Sequence, residues 1–233
     1  MMDSYVSIDL ETTGLNPRLD KIIEIGAVKV KEGRLEETFS TLVNPARLLG
    51  EKISGLTGIK DEMLLAAPEI EEVMPKLLEF LEDYPLLGHS VLFDFSFLKK
   101  AAVNQRLSFE RNAVDTLKIA RKHLSFLEHR NLKYLCEYYG IEHEAHRALS
   151  DAEATVSLYE KLAEQFYTEE ETLFRPCALY YEAKRDTPAT NAQKERLYRL
   201  INRHKLIVSV NVDKLSRSEA SRLTDKILSE YGR

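Results

Sequence analysis

Two carboxylates near the start of the chain, Asp9 and Glu11, have the spacing of a cation site. The stretch 6–15 reads VSIDLETTGL, and strand periodicity puts both acids on one face of a β-strand. Like charges this close raise each other's pKa unless a cation is present. The pattern therefore predicts a metal site, although an exposed edge strand with solvated acids fits this stretch equally well.

Further residues of the same chemistry occur later in the chain. Asp94 falls where a short buried strand meets a helix, and His146 lies in a loop five positions before Asp151. A capping box beginning at Ser150 predicts that Asp151 occupies the first position of a helix. Each has an ordinary explanation: an N-cap for Asp94, a favourable helix dipole for Asp151, and an exposed loop for His146.

Composition limits the class of protein. The 233 residues, 44% of them hydrophobic, suffice for one core and a smaller second unit. The sequence has no signal-peptide pattern and no apolar run near the roughly 18 residues of a spanning helix, which predicts a soluble, cytoplasmic protein with no membrane partner. Cys136 and Cys177 are far apart without zinc-site spacing, so reduced thiols are expected.

Charge is distributed unevenly along the chain. Residues 1–171 carry 20 basic and 31 acidic side chains, net −11, whereas residues 172–233 carry 13 and 7, net +6. A basic tail behind an acidic body suggests a nucleic-acid partner, and a merely solvated surface explains it as well. The candidates for phosphate contacts are Lys194, Arg196, Arg199, Arg203 and Lys205.

Hydrophobic periodicity predicts an α/β architecture. The predicted strands are 6–11, 21–30, 35–43, 85–89 and 112–116, of which the first three form an antiparallel meander. The predicted helices are 69–81, one beginning near 94, 117–124, 132–140 and one beginning near 150. The stretch 53–59, ISGLTGI, is predicted as a loop because it is rich in Gly and Thr.

The sequence divides into three parts. We predict a first domain at 1–168, a linker at 169–186 and a small basic module at 187–233. Aromatic residues of the linker alternate with basic ones, a pattern that fits either stacking on bases or packing against the first domain. The module is predicted as helix-strand-helix, with its strand at 206–212 and capping boxes that begin at Thr190 and Ser216.

Three motifs in order resemble the DEDDh, or DnaQ-like, 3′-5′ exonucleases, a family that includes the proofreading subunit of bacterial DNA polymerase III. DLETTGL resembles the first motif, GHSVLFDFSFL the second and HRALSDAEAT the third, and ISGLTGI resembles the intervening loop. The resemblance covers about residues 4–166. It implies an RNase H-like fold, a mixed five-stranded sheet flanked by helices.

The resemblance also implies roles for individual residues. Four acids would hold two divalent cations, Mg²⁺ or Mn²⁺, and a histidine would act as general base. The implied metal ligands are Asp9, Glu11, Asp94 and Asp151, and the implied base is His146. Thr12, Gly14 and Leu15 are the implied substrate contacts, with the Thr12 backbone at the 3′ hydroxyl and Leu15 against the terminal base.

The expected function is metal-dependent release of nucleoside 5′-monophosphates from the 3′ end of single-stranded or frayed DNA, in replication or repair. DNA is favoured over RNA, the basic module improves the hold on substrate, and a DNA polymerase is an expected partner, although the sequence has no recognisable polymerase-binding motif. The alternatives are an exoribonuclease acting on short RNA and a catalytically silent module that binds nucleic acid or a polymerase. The complete set of four acids and one histidine argues against the silent module.

Overall fold

The predicted meander is present and forms one half of a mixed six-stranded sheet. The structure, a computed structural model, describes residues 1–208 and 210–232. The sheet order is β3-β2-β1-β4-β5-β6. The strands are β1 (Tyr5–Thr12), β2 (Ile22–Lys31), β3 (Arg34–Leu42), β4 (Leu86–Gly88), β5 (Asn112–Asp115) and β6 (Cys177–Ala178).

Helices cover both faces of this sheet. They are α1 (Glu51–Thr57), α2 (Asp61–Leu65), α3 (Ile70–Leu81), α4 (Leu92–Asn104), α5 (Thr116–His123), α6 (Leu132–Tyr139), α7 (Ala148–Phe166), α8 (Asn191–His204) and α9 (Arg217–Tyr231). One core cluster joins β1 and β2 to α3 and α4, and a second joins the opposite face to α5, α6 and α7. The result is the predicted α/β layering, with helices on both sides of the sheet.

The strand that carries the first two acids is central. β1 pairs antiparallel with β2 and parallel with β4. Val6 and Ile8 are completely buried in one core cluster, while Tyr5 is buried in the other. The alternative of an exposed edge strand with solvated acids is therefore wrong, since a strand buried on both faces presents ionisable side chains only at a special site.

The expected count of five strands is wrong by one. Cys177 and Ala178 pair antiparallel with Ala113 and Asn112 and add a sixth strand at the edge of the sheet. A two-residue strand is too short to show periodicity, which is why the sequence did not predict it. Within the predicted linker 169–186, Phe174 is buried in the core and Lys100 binds Asp186 at 2.8 Å.

Residues 53–57 of the stretch ISGLTGI are helical, and their prediction as a loop is wrong. They form most of α1, and Gly58 ends the helix in the left-handed conformation with φ +70°. The hydroxyl of Thr57 donates to the carbonyl oxygen of Ile53 at 3.0 Å. The Gly that suggested a loop is thus a helix stop signal, the position where glycine is most favoured.

The basic module is built from two helices. Both predicted capping boxes are present, Thr190 with Gln193 at α8 and Ser216 with Glu219 at α9. The predicted strand at 206–212 is wrong in the described residues, where only Val210 makes an isolated bridge, with Arg47. Ser209, also part of that prediction, lies outside the described residues. A short alternating segment without a partner strand does not form a sheet.

Two smaller expectations concern membranes and thiols. Across residues 1–208 and 210–232, every helix is too short or too polar to cross a bilayer. Cys136 and Cys177 are both free, Cys136 in the core and Cys177 exposed, as expected.

Gly26 of β2 determines how closely α7 approaches the sheet. A Cβ placed on Gly26 would lie 2.1 Å from the carbonyl carbon of Ala148 and 2.1 Å from the backbone nitrogen of Leu149. Gly26 pairs with Asp9 of β1. A missing side chain on β2 therefore lets the first turn of α7 rest directly beside Asp9.

We predict that Gly26→Ala destabilises the protein by about 1–3 kcal/mol, because the added methyl meets backbone atoms that move only if α7 moves. Urea unfolding monitored by circular dichroism measures the change. Gly55→Ala in α1 is the matched control, because open space surrounds Gly55. It should be neutral or slightly stabilising, by about 0.5–1 kcal/mol. Equal stability of the two variants would contradict the close approach of α7.

Candidate active site

Asp9 and Glu11 project from the carboxyl-terminal half of β1 toward the first turn of α7. Asp9 is paired with Gly26 and Glu11 with Glu24 on β2. Each offers a carboxylate oxygen that, together with one from Asp151, forms a group in which all three oxygens lie within 4.8 Å of one another. The structure thus brings together three of the four predicted acids at the distance expected around a cation.

Asp151 reaches this group because of how α7 begins. The helix starts at Ala148 with Arg147 as N-cap, and not at Ser150 as the capping box predicts. Asp151 accepts a hydrogen bond from the backbone nitrogen of Arg147 at 3.0 Å, and the hydroxyl of Ser150 accepts one from the nitrogen of Glu144. A contact from β2 replaces the expected cap at Ser150, so Asp151 lies in the first turn of α7.

Glu24 is the residue that sequence reasoning missed. Its side chain is 2% exposed on β2, and it accepts hydrogen bonds from the Arg147 guanidinium at 3.1 Å and the Ala148 nitrogen at 3.1 Å. It therefore caps α7 from a neighbouring strand and fixes the loop before Asp151. The available signal was a single acid inside the apolar strand KIIEIGAV.

Asp94, the fourth predicted acid, comes from the opposite face of the sheet. It lies in the first turn of α4, is buried, and accepts a hydrogen bond from the backbone nitrogen of Leu10 at 3.1 Å. The N-cap is Val91, so the alternative explanation of Asp94 as a helix N-cap is wrong. Its contact with Leu10, between Asp9 and Glu11, places it next to the other carboxylates.

The site holds more negative charge than its surroundings compensate. Burial first, and then the carboxylates of Asp94 and Asp151, raise the pKa of Asp9 well above its ordinary value. Burial likewise raises the pKa of Asp94, and burial with Asp151 and Glu24 raises the pKa of Glu11 to about 7. A cation would relieve this repulsion, and an all-oxygen donor set suits hard divalent ions. The residues therefore fit the implied metal ions.

Two histidines lie in the loop before α7, and only one was predicted. His146 has φ +67°, a side chain 46% exposed, and its Nδ1 3.9 Å from Glu11 Oε1. His143, which sequence reasoning missed, is 5% exposed and its Nε2 lies 2.6 Å from Asp151 Oδ1. His143 thus holds Asp151, whereas His146 stands at the open side of the group.

The predicted substrate residues form the turn after β1. The hydroxyl of Thr12 donates to the carbonyl oxygen of Gly14 at 2.6 Å, and Leu15 is 85% exposed. A Cβ on Gly14 would lie 2.5 Å from a carboxylate oxygen of Asp20. The Asp20 side chain thus occupies the space in front of Gly14, and it also accepts a hydrogen bond from the Asn16 nitrogen at 2.9 Å.

Comparison with known proteins agrees with the motifs and the fold. A family model described as "Exonuclease" matches residues 6–159. The chain is 42% identical over 163 residues to a PolC-type DNA polymerase III of Caldanaerobacter subterraneus, which covers 69% of this chain and 12% of that protein. It is 40% identical over 166 residues to the DNA polymerase III subunit epsilon of Aquifex aeolicus, covering 70% of this chain and 82% of that one.

A solved structure gives the same fold. The nuclease domain of 3′hExo, a DEDDh family member bound to rAMP, superposes with a TM-score of 0.61 at 21% identity, covering 70% of this chain and 93% of that one. The fold and the acidic site thus define a nuclease-type RNase H-like domain. The chain belongs to the exonuclease family of DnaQ-like, DEDDh proteins.

We predict that the metal-free protein loses stability as pH rises from about 4.5 to about 7. Because the pKa of Glu11 is raised on folding, the folded state binds the extra proton in this window, and its loss costs on the order of 2–3 kcal/mol. Melting temperatures in chelator from pH 4.5 to 8 measure this loss.

The Glu11→Gln variant should lose less stability over the same pH range, since the substitution removes one of the titrating acids. Excess Mg²⁺ or Mn²⁺ at pH 8 should restore much of the stability that the wild-type protein loses, through binding to the folded state alone. Parallel pH profiles for the two proteins would contradict the repulsion at Glu11.

Proposed function

We propose that this chain is a metal-dependent 3′-5′ exonuclease that hydrolyses single-stranded or frayed DNA and releases nucleoside 5′-monophosphates. The observation that carries the proposal is the grouping of carboxylate oxygens of Asp9, Glu11 and Asp151 within 4.8 Å, with Asp94 beside them. The family membership and the names of the polymerase III relatives support the reaction class.

The four acids are assigned to two divalent cations, Mg²⁺ or Mn²⁺. When bound, these ions supply Lewis-acid stabilisation of the charge that develops on the phosphate. The chain contributes oxygen ligands held rigidly from three elements: Asp9 and Glu11 on β1, Asp94 on α4 and Asp151 on α7. Ligands on rigid elements need little reorganisation during the reaction.

His146 is assigned as general base. Water adds to phosphorus, and the imidazole takes the proton of the attacking water. The bond from phosphorus to the 3′ oxygen of the preceding nucleotide breaks, and that oxygen takes a proton from solvent water to become the new 3′-terminal hydroxyl. A base needs access to water, and the half-exposed His146 has it. The Nε2 of buried His143 faces Asp151 and is not free for this role.

The turn 12–15 is assigned to the 3′-terminal nucleotide. The Thr12 backbone adjoins Glu11 and is assigned to the terminal hydroxyl, and Gly14 is assigned to the same nucleotide as a further substrate contact. Leu15 is assigned to the terminal base, since an apolar side chain that is exposed in the turn after Glu11 gains contacts only when a ligand is bound.

DNA is the proposed substrate, and RNA the alternative. The relatives bear the names of DNA polymerases, which favours DNA, replication or repair, and a polymerase partner. The chain spans only a small part of the PolC-type relative, so its role in an assembly is part of this proposal. The structural neighbour bound to rAMP keeps an exoribonuclease as the second candidate. The cytoplasm is the proposed location.

We predict that 5′-labelled single-stranded DNA shortens from its 3′ end in Mg²⁺ or Mn²⁺, and that chelator stops the reaction. RNA of equal sequence, assayed in parallel, ranks the two substrates. His146→Ala should lower kcat about 10²–10⁴-fold, the usual contribution of a general base. Product ladders on denaturing gels give the direction and the rate.

Two histidine variants serve as comparisons. His129→Ala, an exposed histidine whose contacts are Glu128 and Tyr134, should leave the rate unchanged. His143→Ala should retain more activity than His146→Ala, since His143 holds a ligand and does not take the proton. The reverse order would reassign the base to His143, and intact substrate under every metal condition would reject the nuclease and favour a binding module.

We propose further that the module 187–233 holds the strand behind its 3′ end. Arg196, Arg199 and Arg203 lie three and four residues apart on α8 and are exposed, while Leu197, Leu200 and Ile201 of the same helix pack inward. In the described part of the chain, Lys194 is the α8 residue that forms an ion pair, with Asp213 at 3.8 Å. The three arginines form a basic stripe suited to a phosphate backbone.

We predict that changing the three stripe arginines together to glutamine raises KM for a long single strand and weakens its dependence on salt. Loss of three phosphate contacts should lower the slope of log affinity against log salt by about 2. The matched control changes Lys118, Arg121 and Lys122 of α5 to glutamine, the same charge difference on another helix. If the two triple variants change KM and its salt dependence equally, the cause is the overall charge of the protein and not the basic stripe.

A further inference from the structure

The loop between β1 and β2, residues 13–21, is closed at its base. The nitrogen of Thr13 donates to the carbonyl oxygen of Lys21 at 2.8 Å, and the nitrogen of Lys21 donates to the Thr13 hydroxyl at 3.0 Å. Leu15 stands exposed near the start of this loop, which we call the substrate loop. The position of the loop's base therefore affects the position of Leu15 relative to a bound 3′ end.

Glu219, in the first turn of α9, contacts this base from the C-terminal module. Its Oε1 lies 3.2 Å from the Lys21 ammonium and 2.8 Å from the Arg47 guanidinium. Its Oε2 accepts from the Ser216 hydroxyl at 2.7 Å and the Ser216 nitrogen at 2.9 Å. One carboxylate oxygen thus caps α9, while the other binds two cations of the catalytic domain.

Arg47 extends this contact to a second point of the substrate loop. While its Nη2 binds Glu219, its Nη1 donates to the carbonyl oxygen of Leu19 at 3.0 Å. The backbone around Arg47 is itself held by the module, through an isolated bridge to Val210 and a hydrogen bond from the Asn211 nitrogen to Ala46. The loop is therefore held at Lys21 directly and at Leu19 through Arg47.

The charges explain why this contact is specific. The side chain of Glu219 is 12% exposed, and without it Lys21 and Arg47 would face each other uncompensated. Burial alone would raise the pKa of Glu219, yet the Lys21 ammonium and the hydrogen bonds from Ser216 lower that pKa to about 2. A partly buried triad of this kind contributes more than an exposed ion pair does.

We propose that Glu219 is a positioning residue: the C-terminal module holds the substrate loop through Glu219, Lys21 and Arg47, and so sets the affinity for the 3′ end. The inference rests on the proposed function of the loop, and it assigns to the module a role separate from its basic stripe. The stripe acts on distant phosphates, whereas Glu219 acts on the site itself.

The test uses the full chain with Glu219→Gln, which keeps a hydrogen-bonding oxygen for Ser216 and removes the charge. We expect KM for a short oligonucleotide to rise by roughly 3–10-fold while kcat stays within about twofold, the signature of lost binding without lost chemistry. Arg47→Met should give a similar rise, and the double variant should add little to either one, because both remove the same contact.

A second readout does not depend on nuclease activity. Limited trypsin digestion followed by mass spectrometry measures cleavage after Arg18, the exposed residue preceding Leu19 in the loop. Cleavage should be several-fold faster in Glu219→Gln, because release of Leu19 loosens the loop. Gln193→Ala is the matched control: it removes a capping residue of α8 in the same module, and its contacts, Arg217 and Ser221, are also in the module.

The outcomes separate the two proposals. Faster cleavage after Arg18 in a protein that degrades no nucleic acid would keep the loop contact and reject the nuclease. An active Glu219→Gln enzyme with unchanged KM and unchanged cleavage would overturn the positioning role. A higher KM and faster cleavage after Arg18 in Gln193→Ala would also overturn the positioning role, because both changes would then follow from a general loosening of the module.

Discussion

The close approach of α7 to β2 is the constraint on which the site depends. Asp151 meets Asp9 and Glu11 only because Gly26 has no side chain and because Glu24 caps the helix from the strand. Both residues lie on β2, directly opposite the two acids of β1. The pairing of two adjacent strands therefore sets the distance between carboxylates that are about 140 residues apart in the sequence.

This arrangement opposes the ordinary preference of a folded protein to separate like charges. The acids come from β1, α4 and α7, on both faces of the sheet, and hydrophobic clusters on each face force them together. Packing energy spread over two cores therefore sustains a local repulsion that no single contact would. Burial first, and the neighbouring carboxylates in addition, raise the pKa values of Asp9, Glu11 and Asp94 above their ordinary range.

Much of the frame was predictable from the sequence, and the omissions share a cause. The meander, the buried strands and the order of the four acids follow from local patterns that span a few residues. The predicted start of α7 was wrong because Glu24, more than 120 positions earlier, caps the helix. His143 was missed because its contact with Asp151 forms only in the folded loop. The strand β6 and the contact of Glu219 likewise depend on tertiary neighbours, which no local pattern records.

The two edges of the sheet are protected in different ways. The edge strand β3 is exposed, and Arg34, Glu36 and Glu37 line it, so a further strand added there would have to bury charge. At the other edge, the chain's own β6 occupies the pairing positions of β5. Growth of the sheet by pairing with a second molecule is thus opposed electrostatically on one side, and on the other side the two-residue edge strand β6 offers few groups for pairing, a safeguard against aggregation built into the order of the strands.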